Sequence, residues 1–146
     1  MTHLQKAKLI AREAFKNKVD KAGRPYMEHL EAVTRLVESE EDEVRAIAML
    51  HDLLEDCAEW TYDLILGAFN ERIADGVRTL TKGFSRYPHY LSLIKENKDT
   101  VLVKISDLRH NMDITRLPTL GDYGIKRLRK YHAAYLELME VKNSWE

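Results

Sequence analysis

The chain has 146 residues, a length typical of one folded domain with its own hydrophobic core. Hydrophobic residues make up 45% and charged residues 32%, and the formal net charge of −1 gives no overall basic field for nucleic acid. A single cysteine, Cys57, excludes an intramolecular disulfide and a metal site built from several cysteines. No apolar run approaches the roughly 18 residues of a membrane span, and the N-terminus has no apolar signal-peptide core. We therefore expect a cytoplasmic protein with one domain over residues 1–146 and no membrane or nucleic-acid partner.

Helices are predicted for nearly the whole chain, because only six glycines and three prolines interrupt it and apolar residues recur at helical spacing. The short apolar run 101–105 is compatible with a strand, but apolar residues continue from it at helical spacing as far as Met112. In chain order, the predicted helices cover 3–16, 25–38, 42–55, 61–69, 71–80, a segment around 90–94, 100–115 and 123–142.

Start and stop signals support these elements. Thr61 suits the N-cap of the helix predicted over 61–69. Asp99 or Thr100 suits the N-cap of the helix predicted over 100–115. Gly83 and Pro88 bracket a predicted loop. Since no linker or internal repeat interrupts the pattern, the expected architecture is one compact all-α bundle.

The chemically informative segment is LHDLLED at 50–56. On one continuous helix of about 3.6 residues per turn, its imidazole and three carboxylates lie on one side, at His51, Asp52, Glu55 and Asp56. Carboxylates crowded beside a core are costly unless a cation offsets their charge. A divalent metal ion does so and also accepts the imidazole lone pair. The alternative is that His51 is a core histidine and the acidic residues face solvent.

Two residues elsewhere are candidates to complete such a site, because one helix cannot surround a metal ion. His29 shares its helix side with the apolar Val33 and Leu36, which predicts that it points inward. Asp107 lies in a strongly apolar helix, where an unpaired carboxylate is costly. The alternative for Asp107 is a pair with Lys104 on a solvated helix face.

Four segments match the hydrolase domain of the Rel/Spo family in order and spacing: PYMEH (25–29), LHDLLED (50–56), LTK (80–82) and KISDLRHNM (104–112). The resemblance covers about residues 4–116. This family handles the alarmone guanosine tetraphosphate, and the short chain resembles its stand-alone small alarmone hydrolases, of the kind represented by the metazoan SpoT homologue. The resemblance implies an all-α HD-domain bundle.

The resemblance also implies the composition of the site. One divalent cation, usually manganese in this family, is held by His29, His51, Asp52 and Asp107. Glu55 and Asp56 orient the attacking water and manage its proton. The implied reaction hydrolyses the 3′-pyrophosphate of guanosine tetraphosphate, a small-molecule nucleotide, and releases pyrophosphate. The candidate substrate contacts are Lys21, Asn111, Tyr26, Arg24 and Lys82, the last two only as basic residues near the motifs.

Two departures from the family pattern affect substrate recognition. Asp20-Lys21 stands where the family usually has Arg-Lys, and an anion at that position should weaken the binding of a polyanion unless Asp20 faces solvent in a mobile loop. Leu108-Arg109 reverses the usual order, which moves each side chain by about 100° around a helix.

Two other functions remain open. One is a phosphatase that keeps the metal site and acts on another nucleotide such as NADPH. The other is a nucleotide- or partner-binding module with little turnover. The apolar stripe of the last helix, over 126–141, predicts core packing, with a homo-oligomer as the alternative.

Overall fold

A computed structural model describes residues 1–145 and confirms the all-α class. The α-helices within that range, in chain order, are α1 His3–Ala14, α2 Tyr26–Leu36, α3 Asp42–Leu50, α4 Leu53–Asp56, α5 Tyr62–Ala68, α6 Glu71–Thr79, α7 Tyr87–Lys95, α8 Lys98–Asn111 and α9 Asp122–Asn143. A short 3-10 helix, Ile114–Arg116, lies between α8 and α9.

The helix starts follow local capping chemistry. Thr61 caps α5 as predicted, because its side chain accepts a hydrogen bond from the backbone N–H of Leu64. The predicted cap of α8 is wrong. Asn97 begins that helix, and its side-chain oxygen accepts from the backbone N–H groups of Asp99 and Thr100. These two residues therefore occupy the first turn of α8.

The predicted continuous helix over 42–55 is also wrong. Helix α3 ends at Leu50, and Asp52 adopts φ −101° and ψ 3°, outside the helical region, before α4 begins. The one-sided arrangement expected from an unbroken helix therefore does not hold. The break turns the side chains of His51 and Asp52 toward the same buried point between α2 and α8. Tertiary contacts here override helical propensity.

Several further helix bounds differ from the predictions. Helices α1 and α2 each end two residues before the predicted end. Helix α7 begins at Tyr87, so Pro88 lies in its first turn, where a proline ring is tolerated. Helix α8 ends at Asn111 instead of continuing to 115, because Asp113 accepts from the backbone N–H of Thr115 and starts the 3-10 turn.

Helix α3 lies at the centre of the core, with buried residues throughout from Ala46 to Leu50. It packs against α1, α2, α6 and α8. Helix α9 covers α8, and its Ala134 and Leu138 are buried. This burial agrees with core packing of the last apolar stripe. The arrangement brings the C-terminal end of α3 beside α2 and α8, which carry the other candidate ligands.

Candidate metal centre and cavity

Three buried residues from three parts of the chain meet at one point. His29 comes from α2, His51 follows α3, and Asp107 comes from α8. One ligand atom of each lies within 4.8 Å of the others, so the cluster can hold a metal ion. Asp107 Oδ1 is 3.0 Å from His29 Nε2 and 3.3 Å from His51 Nε2. The sequence motifs that carry these residues are far apart in the chain, and the fold joins them.

Asp52 lies at the edge of the cluster. Its Oδ2 is 3.0 Å from His51 Nε2 and 3.7 Å from His29 Nε2. Its side chain is 20% exposed, in contrast to the buried imidazoles. The Tyr26 hydroxyl donates to the same Oδ2 at 2.5 Å and fixes its position. Burial and the charge of Asp52 raise the pKa of Tyr26, so this hydroxyl stays protonated and remains a donor.

The imidazole of His51 is oriented so that one ring nitrogen, Nε2, can bind a cation. Its Nδ1–H donates to the Ala48 carbonyl at 2.7 Å, which leaves the lone pair on Nε2. Nε2 is buried and has no hydrogen-bond partner within residues 1–145. An imidazole held through one nitrogen while the other faces carboxylates is the usual geometry of a metal-binding histidine. The residues therefore fit a divalent cation.

The charges of the cluster require a positive partner. Burial favours the neutral form of Asp107, but Lys104 and the two histidines outweigh it and hold its pKa well below the usual value. Burial likewise lowers the pKa of His51, but Asp52 and Asp107 outweigh it and raise that pKa well above its usual value. A cation at this point therefore replaces a proton on His51.

Asp107 is fixed by two neighbours on its own helix. Lys104 Nζ donates to Oδ2 at 2.8 Å, and Asn111 Nδ2 donates to Oδ1 at 3.1 Å. The alternative for Asp107 in the sequence was an ion pair with Lys104 on a solvated helix face. The pair exists, but it is buried, with Lys104 Nζ 5.2 Å from the centre of the Tyr90 ring.

His110 contacts the cluster from behind His29. The two Nδ1 atoms are 2.7 Å apart, so one ring donates to the other. Burial, with the charge of Arg116, lowers the pKa of His110 to about 4, which keeps it neutral near pH 7. A neutral His110 that accepts from His29 Nδ1–H leaves His29 Nε2 free to bind a cation.

The two predicted catalytic carboxylates have different surroundings. Glu55 accepts from the backbone N–H groups of Lys82 and Gly83, at 2.8 and 3.1 Å, and so anchors the loop after α6. Gly83 adopts φ +56°, which a side chain would strain. Partial burial, with the nearby charges of Asp52 and Glu55, raises the pKa of Asp56 to about 6. Asp56 can therefore exchange a proton near neutral pH.

A cavity of about 530 Å³ opens over the cluster. Of the predicted substrate contacts, it is lined by Lys21, Tyr26, Lys82 and Asn111. Arg24 is exposed and forms a 2.8 Å pair with Glu28, outside the cavity lining.

Helix α9 also contributes basic residues to the cavity. Lys21 and Lys82 line the cavity together with Arg127 and Lys130, and we call these four residues the cation arc. Burial and the charges of Arg127 and Lys130 lower the pKa of Lys21. Burial and the charges of Arg127, Lys104 and Lys82 lower the pKa of Lys130. Across residues 1–145, no carboxylate forms an ion pair with the arc. For the basic run over 126–130, the sequence favours a solvated face and leaves a phosphate-binding patch as the alternative. The placement of α9 brings Arg127 and Lys130 of this run to the cavity.

Asp20 faces this cavity too. It does not point to solvent, because its side chain is only 10% exposed and its Oδ2 pairs with Arg116 Nη1 at 3.0 Å. Arg109, displaced by the reversed order, lies outside the cavity lining and pairs with Glu38 at 3.0 Å.

Comparison with solved structures places this architecture among known folds. The chain matches the structure of a metazoan ortholog of SpoT that hydrolyses ppGpp and plays a role in starvation responses. The TM-score is 0.76 and the identity is 17%, over 94% of this chain and 85% of the other. This protein has the HD-domain fold. The expected HD-domain bundle is thus confirmed, and so is the Rel/Spo resemblance at the level of the fold.

Comparisons of the sequence with family profiles and with curated proteins give no match. Among the helices of residues 1–145, none combines the length and apolar character needed to cross a membrane.

Proposed function

We propose that this protein is a metal-dependent phosphohydrolase that removes the 3′-pyrophosphate of guanosine tetraphosphate and releases pyrophosphate. The observation that carries the proposal is the buried His51 Nε2, which faces Asp52 and Asp107 and has no hydrogen-bond partner within residues 1–145. The activity of the matched metazoan protein on ppGpp supports the substrate.

The proposed metal ligands are His29, His51, Asp52 and Asp107. Two imidazoles and two carboxylates suit manganese, iron or zinc, and we propose one Mn²⁺. When bound, a divalent ion supplies positive charge at a phosphoryl oxygen and acidifies a water molecule. Tyr26 and Lys104 keep the two carboxylates in place, through hydrogen bonds to their Oδ2 atoms.

Proton transfer is assigned to Asp56. With a pKa of about 6 it is mainly ionised at pH 7–8 and can accept a proton from the attacking water. Glu55 is the second proposed catalytic carboxylate. Its hydrogen bonds to the Lys82 and Gly83 backbone hold one end of the cation arc at the cavity.

The cation arc supports a polyanionic substrate. Mutually repelling cations without carboxylate partners bind phosphate groups favourably, since a phosphate relieves their repulsion. We therefore propose a small nucleotide with more than one phosphate group. One domain over 1–146, a cytoplasmic location and a homo-oligomer remain predictions.

A substrate panel on manganese-loaded protein tests the proposal. We expect pyrophosphate from guanosine tetraphosphate, and no activity in the His51→Ala and Asp52→Ala variants. The exposed His132 provides the control, because His132→Ala should keep full activity. Absence of pyrophosphate release across metals and pH values would contradict the proposal.

The same panel separates the alternatives. Inorganic phosphate released from NADPH, without pyrophosphate from the alarmone, would indicate a nucleotide phosphatase. A protein that binds nucleotide, binds no metal ion and turns over no substrate would indicate a binding module.

A further inference from the structure

Asp20 and Arg116 join two segments of the cavity wall that are distant in sequence. Asp20 Oδ2 accepts from Arg116 Nη1 at 3.0 Å. Its other oxygen, Oδ1, accepts from the backbone N–H groups of Ala22 and Arg24, at 2.9 and 3.0 Å. The Asp20 N–H also donates to the Arg24 carbonyl at 2.8 Å, and Gly23 makes the turn at φ +80°. Asp20 is therefore a fixed acceptor in a closed loop.

Arg116 is fixed through two of its three guanidinium nitrogens. Nε donates to the His110 carbonyl at 3.3 Å, and Nη1 donates to Asp20. Nη2 forms no hydrogen bond to any described residue, 1–145. The side chain is 21% exposed and lines the cavity. A rigid planar group with free N–H donors thus belongs to the cavity surface.

The surroundings of this pair differ from the cation arc. The same two segments bring apolar side chains to the cavity lining: Val19, Ile114, Leu117 and Leu120. The charge of Arg116 is offset by Asp20, whereas the arc has no carboxylate partner within residues 1–145. Phosphates are therefore attracted to the arc, and the Asp20–Arg116 wall suits a flat, uncharged ring that carries hydrogen-bond acceptors.

We propose that Arg116, positioned by Asp20, recognises the nucleobase and selects a purine with acceptors at both O6 and N7. This inference rests on the proposed function, because it assumes that the ligand of the cavity is a nucleotide. Arginine offers only donors, which match O6 and N7 of guanine as a pair. Adenine has a donor amino group in place of O6, so it loses half of the interaction and faces a donor with a donor.

Base recognition by Arg116 can be tested by comparing nucleotides that differ only in the base, a difference to which the metal site is indifferent. Hypoxanthine has the O6 and N7 of guanine but lacks its 2-amino group. Recognition by Arg116 therefore predicts equal binding of guanine and hypoxanthine nucleotides and weaker binding of adenine nucleotides.

The test is calorimetric titration of the full chain with GDP, IDP and ADP, in the presence of manganese. We expect similar affinities for GDP and IDP and an affinity about tenfold lower for ADP, the range of a bidentate arginine contact. Arg116→Lys keeps the charge and can still pair with Asp20, but it should lower the affinity for GDP to that for ADP. Arg109→Lys, outside the cavity, is the matched control and should keep the preference.

A charge-swapped variant separates recognition from a purely structural clamp. Asp20→Lys with Arg116→Asp restores an ion pair between the two segments without restoring a guanidinium. We expect the melting temperature to recover relative to Asp20→Lys alone, while the GDP-over-ADP preference stays lost. A preference that persists in the swapped variant or in Arg116→Lys would overturn the inference, as would equal wild-type affinities for the three diphosphates or no binding of any.

The outcomes are independent of turnover. A base preference without pyrophosphate release would leave the inference standing and contradict the proposed function. Pyrophosphate release without a base preference would support the proposed function and contradict base recognition by Arg116.

Discussion

At the residue scale, the decisive atom is Nε2 of His51. The Ala48 carbonyl fixes the other ring nitrogen, so Nε2 cannot rotate away from Asp52 and Asp107. A buried lone pair beside two carboxylates is unfavourable unless a proton or a metal ion lies between them. The same position therefore decides both the protonation state and the metal affinity of the site.

Removing this imidazole should remove the metal. We expect His51→Ala to lose bound manganese almost completely, because the remaining ligands leave one side of the ion open. Elemental analysis after reconstitution and desalting gives the stoichiometry. His132→Ala, on the exposed face of α9, should retain the wild-type metal content. Equal metal content in both variants would show that His51 is not a ligand.

Asp56 gives a pH-dependent prediction. Its pKa of about 6 in the folded protein exceeds the ordinary value near 4, so the charged form disfavours folding. Asp56→Asn should raise the melting temperature above pH 6, and the gain should shrink as the pH falls toward 4, where Asp56 is protonated in the folded protein and half protonated in the unfolded chain. Thermal melts from pH 4 to 8 measure this. A gain that is constant with pH, or larger in acid, would contradict the assignment.

At the element scale, the close packing of α6 on α3 helps to position the helix that leads to His51. Gly76 of α6 lies against Ile47, and an added Cβ would be 2.7 Å from its Cδ1. Both residues are buried, so the contact has little room to relax. This close approach sets the distance between the two helices, and it supports the position of His51 one turn further along.

Gly76→Ala should therefore destabilise the fold. Overpacking costs roughly 1–3 kcal/mol, and better helix propensity offsets about 1 kcal/mol of it. Gly67→Ala in α5 is the matched control, since no described atom lies within 4 Å of its added Cβ. That variant should be neutral or slightly stabilising. Urea unfolding of both variants measures the difference, and equal stabilities would contradict the close packing of α6 and α3.

At the scale of the whole molecule, the proposed metal site connects helices that are distant in sequence. The proposed ligands come from α2, from the junction between α3 and α4, and from α8, so an ion bound there links elements that are distant in sequence. A ligand that binds only the folded state stabilises it by mass action. The metal site is therefore expected to contribute to stability as well as to chemistry.

Manganese should raise the melting temperature of chelator-treated protein. At a hundredfold excess over the dissociation constant, the gain is about 2.7 kcal/mol, or roughly 5–10 °C for a domain of this size. Differential scanning fluorimetry measures the shift. His51→Ala should show no shift, and an equal shift in that variant would place the metal elsewhere.

The sequence by itself determined the all-α class and most helices, because helical spacing of apolar residues and local caps act over only a few positions. It also supplied His29, His51 and Asp107 as the candidates that meet in the fold. These residues lie in motifs whose order and spacing can be compared directly with a family.

Only the tertiary structure decided the rest. The break between His51 and Asp52 arises because both side chains reach one buried point, which the helical pattern does not encode. Asp20 reads as a lost cation until the fold pairs it with Arg116, 96 residues away. For the basic run of α9, the sequence leaves a solvated face and a phosphate-binding patch as alternatives, and only the placement of that helix over the cavity brings two of these cations inward. In each case the partner of a charge is distant in the chain, and local sequence carries no information about it.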